Sequence, residues 1–443
     1  MDTQLKARLA RLTRPIFIET LLMMSLGTID VFMLSQISDT SVAAVGLVNQ
    51  LLSMIFLLFL VGATGTAVVC SQYLGAKQDQ DFRQTAQLSL LGNLLLGALV
   101  SLWLAKESPW LVSAMNAAPS LAKDAIPYCR IVGGFAFLHA ISVVCVSVLR
   151  SREMAIYPMY VQLTANIVNI LANYCLIFGH WGFPAMGVHG AAWATVLSRC
   201  VGLILLLYAL ARHGFTHLRK DPAKSAVFVK AKQILAIGLP GAGEMFSYTA
   251  SQVVITYFIT SLGVAALAAR TYVMHCVLVT FLFAIALGQA ASIMAGHLVG
   301  SHHYQAAKVL GEFAIRRALI LSILLSILLA IAAPFFFPLL TTDPDILRLC
   351  TSILLIDIAL EGGRAVNILT GRLLAAVGDP LYPLRVSIVV VWTVATAGSY
   401  LVGIQFGFGL IGMWWMFVFD EGLRASLQWR YWRKSHWMQK SLC

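Results

Sequence analysis

The chain has 443 residues, of which 59% are hydrophobic and only 11% charged, with a formal net charge of +12. Soluble domains carry about 25% charged residues, so this composition excludes a soluble globular protein: most of the chain must face lipid or packed helices. Nucleic acid is excluded as a partner too, because the basic residues sit in short loops between apolar runs and form no basic domain.

The N-terminal segment carries Lys6, Arg8, Arg11 and Arg14 and then enters a long apolar stretch with no small-residue cleavage site. It reads as a retained first span, not a signal peptide. A crossing helix needs about 20 apolar residues. Twelve such stretches follow in order, at roughly 13–36, 44–73, 84–107, 125–150, 155–179, 185–212, 233–261, 266–298, 313–340, 346–376, 383–405 and 409–432. Each is expected to be helical, since a segment in lipid must satisfy its own backbone polar groups. By this reading, 24 basic residues lie in one set of loops and tails, counting Arg424 to Lys440 among them, and five lie on the other side. Both termini are therefore expected on the cytoplasmic side. The eight cysteines are scattered with no C-x-x-C pair, which indicates neither a zinc site nor a disulfide framework.

The longest polar segment joins spans six and seven and separates two copies of one design. Shifting the sequence by 225 lays Pro15 on Pro240, Glu19 on Glu244, Ala43-Ala44 on Ala268-Ala269, Gly75 on Gly300 and Tyr157-Pro158 on Tyr382-Pro383. "PIFIE" in the first copy recurs as "PGAGE" in the second. The expected organisation is a first lobe at 1–213, a cytoplasmic linker at 214–232 and a second lobe with its tail at 233–443. An even number of spans per half makes the repeat parallel, and such bundles place substrate sites near the midplane between the halves. The fold class is thus an all-α polytopic membrane protein, with twelve transmembrane helices in two pseudo-symmetric lobes of six.

Charges inside the spans are candidate sites, because a charge at the bilayer centre costs from about 2.5 to over 10 kcal/mol. Glu19 and Asp30 share a face of the first span, about 16 Å apart along it. Glu19, near the cytoplasmic end, either complements its helix dipole or serves with Glu244 as a gate. Asp30 is either a fixed partner for a buried arginine or a protonatable, cation-binding group. In span five, Asn166, Asn169 and Asn173 form one stripe. They either glue helices together or turn neutral oxygens toward a cation at Asp30. Span ten carries Asp357, Glu361 and Arg364 on one face. Glu361 and Arg364 are expected to pair, with Glu244 as a neighbour, in either a structural ion cluster or a coupling site. Arg199 in span six needs a partner that the sequence does not name. No H-E-x-x-H, G-x-S-x-G or G-x-x-x-x-G-K-[ST] motif occurs. The chain is therefore read as no enzyme, with no catalytic residues, no metal site and no cofactor, and its transport as driven by an ion gradient.

The stretches "GTIDVFMLSQISDTSVAAVGLVNQ" (27–50), "VLRSREMAIYPMYVQLTANIVNILANYCLIFGHWGFPAMGVHGAAWATVLSR" (148–199) and "LLAAVGDPLYP" (373–383) resemble the multidrug and toxic compound extrusion (MATE) family. The resemblance implies a monomeric, multi-pass antiporter of the bacterial-type inner membrane, exporting amphipathic, often cationic compounds in exchange for Na+ or H+. Asp30 matches the family's first-span acid and Asn169 a polar member of the same N-lobe site. Asn173 stands where proton-coupled relatives carry an aspartate. Glu244 lies about one turn before the C-lobe carboxylate of sodium-coupled members, and Arg364 falls where those members have another acid. A lipid-linked oligosaccharide flippase of the same superfamily is the alternative. Such flippases often have fourteen spans and cavities rich in Arg and Lys, whereas this chain has twelve spans and an acidic interior.

Overall fold

The computed structural model describes residues 3–115, 118–215 and 224–439. The described residues are all-helical, with no strand among them. In chain order the long helices are α1 (Thr3–Ser35), α2 (Asp39–Gly75), α3 (Asp79–Ala114), α4 (Pro119–Gly134), α5 (Ala136–Ser151), α6 (Ile156–Phe178) and α7 (Val188–Leu210). The second half follows as α8 (Lys224–Thr260), α9 (Val264–Gly300), α10 (Tyr304–Phe336), α11 (Pro344–Ala376), α12 (Leu381–Gln405) and α13 (Gly409–Lys434). Taking α4 and α5 as one span bent by 46°, these are the twelve expected crossings. The break between α4 and α5 is accommodated by a tertiary contact. Backbone N–H groups lose their helical acceptors there, and Phe137 N donates instead to Ser101 Oγ of α3 at 2.9 Å.

Sequence signals set the ends of several elements. Ser38 is in extended conformation before α2, and its side chain accepts from Thr40 N at 3.1 Å, an N-cap. Asp343 does the same for α11, accepting from Asp345 N at 2.9 Å with Pro344 at the first helical position. Gly179 closes α6 at φ +77°, and a Cβ there would come within 2.7 Å of Ala185 N, so only glycine fits this turn. In α12, residues 391–405 wind in wider π-type turns. The α13 helix ends at Ser435, after which Trp437 stacks on Trp432 at 4.6 Å. Lys308 of α10 donates to the terminal carbonyl of Arg433 at 2.8 Å.

The chain forms two compact units. The N-lobe comprises Ile18–Gly238, and the C-lobe comprises Met1–Phe17 with Leu239–Cys443. The change of unit falls inside α1 and α8, close to Pro15 and Pro240. Of the 214–232 linker, residues 216–223 lie outside the described residues. In the N-lobe the start of α8 is held tightly: Gly65 and Gly238 sit so close to backbone carbonyls of Ile234 and Val61 that a Cβ would fall within about 2 Å. Lys230 pairs with Asp81 at 2.8 Å and Tyr73 donates to Gln233 at 2.8 Å. Each unit has its own core. Leu34, Phe59, Leu104 and Tyr128 lie in that of the N-lobe, and Ile255, Phe337, Leu360 and Trp414 in that of the C-lobe. Large apolar side chains such as Phe32, Leu95, Leu102, Ile331 and Phe335 point outward. Outward apolar side chains on this scale fit a surface solvated by lipid.

Candidate functional site

In the N-lobe, α1 and α6 meet through the residues that the sequence singles out. Asn173 Nδ2 donates to Asp30 Oδ1 at 2.6 Å and to Asn169 Oδ1 at 3.0 Å. Asn166 lies on the same stripe but works differently. It donates to the backbone carbonyl of Leu22 on α1 at 2.7 Å and accepts from Gln162 at 2.8 Å. One amide therefore holds the helices together, while the other two serve the carboxylate. Asn173 Oδ1 and Asn169 Nδ2 are shut off from solvent without hydrogen-bond partners. Gly27, one turn before Asp30, is exposed and has no atom within 4 Å of where a Cβ would stand.

Two further residues complete this site. Tyr128 of α4 donates to Asn49 of α2 at 3.3 Å and lies in electrostatic range of Asp30. Arg199 of α7 places its guanidinium 5.4 Å from the Phe56 ring centroid, and that ring also neighbours His139 at 4.8 Å and Phe59 at 5.6 Å. Arg199 is also in electrostatic range of Asp30 and Tyr128. Sequence reasoning missed Tyr128 and Asn49, because a tyrosine or an asparagine in a span carries no charge to draw notice. Glu19, the gate candidate, is engaged inside the N-lobe by Arg150 of α5 at 2.8 Å.

The C-lobe holds a denser network. Arg364 pairs with Glu361 on α11, as expected, and its Nε lies 3.9 Å from Glu421 of α13. Arg424 pairs with Asp420, donating through Nε at 3.2 Å, and its Nη2 lies 2.9 Å from Glu421. Asn367 donates to Glu421 at 2.7 Å and Gln428 to Asn367 at 2.9 Å. Trp414 Nε1 donates to Asp357 Oδ1 at 3.3 Å. Glu244 stands slightly apart, accepting from Ser387 of α12 at 2.6 Å, in electrostatic range of Arg424 and Glu421. On formal charges the acids Asp357, Glu361, Asp420 and Glu421 outnumber Arg364 and Arg424 by two. A narrow cleft lined by Tyr248, Gln252, Arg270, Arg364 and Trp414 opens beside the network, with about 20 Å³ of interior room. That is space for roughly one water molecule.

The α13 half of this network is a correction to the sequence reading, which placed Arg424 with the cytoplasmic basic residues. Arg424 is 3% exposed and fixed by two carboxylates. The signal was present in "FDEGLR" (419–424), three ionisable residues inside an apolar helix, the same criterion that picked out α11.

Comparison with known proteins bears on this arrangement. The family model described as MatE matches the chain twice, over residues 15–175 and 240–401. The two matches start 225 residues apart, at 15 and 240, which is the offset of the internal repeat. The chain is similar to the uncharacterized transporter YisQ of Bacillus subtilis, at 34% identity over 97% of this chain and 95% of that protein. It is also similar to the probable multidrug resistance protein NorM of Thermotoga maritima, at 26% identity over 99% of this chain and 94% of that protein. Among solved structures, one described as a crystal structure of MATE in the bent conformation superposes with a TM-score of 0.91 at 21% identity. It covers 98% of this chain and 96% of that one.

Proposed function

The chain belongs to the MatE family of membrane transporters, and from that premise we propose that it exports amphipathic, often cationic small molecules in exchange for protons or sodium ions by alternating access. It is a multi-pass membrane transporter, not an enzyme. The likeness to NorM, a probable multidrug resistance protein, supports drugs or drug-like metabolites as the substrates. In this reading the protein sits in a bacterial inner membrane with both termini cytoplasmic.

The observation that carries the reading is the state of Asp30. A carboxylate inside a membrane protein is costly unless compensated. Here its direct partner is one neutral amide, Asn173, and it forms no ion pair among the described residues. It therefore keeps the capacity to take up a proton, a sodium ion or a cationic group, and to release it. Asn169 and Asn173 add neutral polar atoms to the same place. Glu244, Asp357, Glu361 and Arg364 form the second candidate site, in which the two surplus negative charges would favour a cation. Glu19 would act as a gate only after release of its contact with Arg150.

Export is tested by reconstituting the purified protein in liposomes with ethidium. Either a sodium gradient at equal pH or a proton gradient without sodium is then imposed. One of the two gradients is expected to drive ethidium against its own gradient. Folded, reconstituted protein that responds to neither would overturn the proposal.

A further inference from the structure

Within the C-lobe, at the end where α1 begins, cations from two helices gather on one aromatic ring. Lys6 of α1 places its ammonium 5.6 Å from the centroid of the half-buried Phe313 ring on α10, and Arg317 places its guanidinium 5.3 Å from the same centroid. Both residues are exposed, as is Arg316 beside them. None of the three forms an ion pair or hydrogen bond among the described residues, and Glu312, the acid nearest in sequence, pairs with none of them. Arg8 is engaged instead: its Nη2 donates to His297 Nδ1 of α9 at 3.2 Å. Like charges drawn onto one ring repel each other unless an anion joins them. An excess of basic residues on one membrane face follows from insertion, but that excess does not require two of them to share a ring.

The helix beyond this pair suits the rest of an amphiphile. At 100° per residue, Phe313, Arg317, Ile320, Leu324, Leu328 and Ile331 fall within about 80° of one another on α10. The four aliphatic residues are each at least half exposed and continue for about 20 Å past Arg317. One leaflet's acyl layer is about 15 Å thick, half of the hydrocarbon core. Charge and apolar track thus share one face in the order of a phospholipid, headgroup first and chain after. A soluble anion would use only the cations.

We propose that this face of the C-lobe is a binding site for an anionic phospholipid, with Lys6 and Arg317 holding the phosphodiester beside the Phe313 ring and an acyl chain lying along Ile320 to Ile331. The site requires only that the chain spans a membrane, and it is independent of which ion or substrate is transported. The guanidinium can give a phosphate two N–H groups at once, the ammonium adds a point charge, and the ring holds both cations at one spot. A bound headgroup ties the start of α1 to α10 within the C-lobe.

Native mass spectrometry of the purified full-length protein in detergent reads lipid binding without any gradient, so its outcome is separate from that of the export assay. Dioleoyl phosphatidylglycerol and dioleoyl phosphatidylcholine, with identical chains, are titrated in turn. Wild-type protein is expected to bind the anionic lipid more tightly. Lys6→Gln combined with Arg317→Gln should lower that affinity about thirtyfold, at roughly fivefold per basic residue beside an anionic lipid, and change phosphatidylcholine binding by a smaller factor. Arg433→Gln combined with Lys434→Gln removes the same charge from exposed positions elsewhere in the C-lobe and should leave the preference in place. Lys6→Gln alone, a change at an exposed residue, keeps the test open where the double variant is not recovered, with a loss of about fivefold. Equal affinity for the two lipids in wild type, or an equal loss in both double variants, would overturn the proposal. So would displacement of phosphatidylglycerol by millimolar inorganic phosphate, which would assign the cations to a soluble anion.

Discussion

Asp30 in the N-lobe and Asp357 in the C-lobe are acids on membrane-crossing helices, yet their surroundings differ in kind. Asp30 takes one hydrogen bond from an asparagine and forms no ion pair among the described residues. Asp357 is 1% exposed, accepts from Trp414 and sits on the helix of an Arg364–Glu361 pair that extends through Glu421 to Arg424. One repeat thus leaves its interior acid and arginine, Asp30 and Arg199, without an ion pair among the described residues. The other pairs its arginines directly with carboxylates, although Asp357 Oδ2, Glu361 Oε2 and Gln428 Oε1 there also lack hydrogen-bond partners. The difference teaches that an intramembrane charge is not by itself a transport site. What matters is how much of its bonding capacity the fold has already used. On that criterion the direct ion pairs of Arg364 and Arg424 favour a locking role for much of the C-lobe network, and the unpaired Asp30 is the stronger candidate for the transport site proposed above.

The comparison breaks most plainly at Asp30. Asp30→Asn should reduce gradient-driven ethidium efflux to background, a loss of at least about a hundredfold or 2.7 kcal/mol, while the yield of folded protein is retained. Efflux near the wild-type rate in that variant would remove Asp30 from the coupling step. In the C-lobe the opposite pattern is expected, with stability lost before function. Removing one partner of a buried pair costs about 3–5 kcal/mol in soluble proteins. Arg424→Ala leaves Asp420 and Glu421 facing each other, so its melting temperature should fall further than that of Arg364→Ala. Combining Arg364→Ala with Glu361→Ala should recover part of the loss. Normal melting of both single arginine variants would mean that the network is hydrated and free to titrate.

Smaller effects sharpen the contrast. Asn169→Ala removes the oxygen that accepts from Asn173, the amide bonded to Asp30, so efflux should slow by roughly fivefold, the scale of one neutral hydrogen bond. Initial rates of dye export measure this, and a loss as complete as that of Asp30→Asn would make the amide an equal partner. Glu19→Gln weakens one partly buried contact to Arg150 and should cost about 1 kcal/mol of stability or less. If Glu19 also gates, turnover slows at unchanged stability. Thermal melting and transport rates on the same preparation separate the two readings.

Much of the candidate site was legible because charge and amide residues are rare in apolar spans. Asp30, the asparagine stripe and the Glu361–Arg364 pair all stood out by spacing on their helices. Within the N-lobe the structure joins Asp30 to Asn173 and Asn169, while within the C-lobe it pairs Glu361 with Arg364. Arg199 stood out as well, without a partner. Its relation to Asp30 depends on α1 and α7 converging, which no local pattern encodes. Tyr128 and Asn49 were silent because nothing in a span marks them as polar neighbours of a distant carboxylate. Asn166 shows the limit of periodicity. It shares a stripe with Asn169 and Asn173, but the backbone of α1 at Leu22 claims it.

The sequence by itself determined the class of fold, the twelve crossings and the duplication. Each of these follows from rules that act along the chain: apolar length against bilayer thickness, internal satisfaction of backbone hydrogen bonds and a constant offset between two copies. It could not decide which charges are used up. Pairing energy depends on distance in a poorly screened interior, and those distances are fixed only when helices far apart in sequence pack. Tertiary structure therefore decided that Arg424, counted with the cytoplasmic charges, is buried between two carboxylates. It also decided that Glu19 meets Arg150, and that Arg199 stands near Asp30 without closing on it.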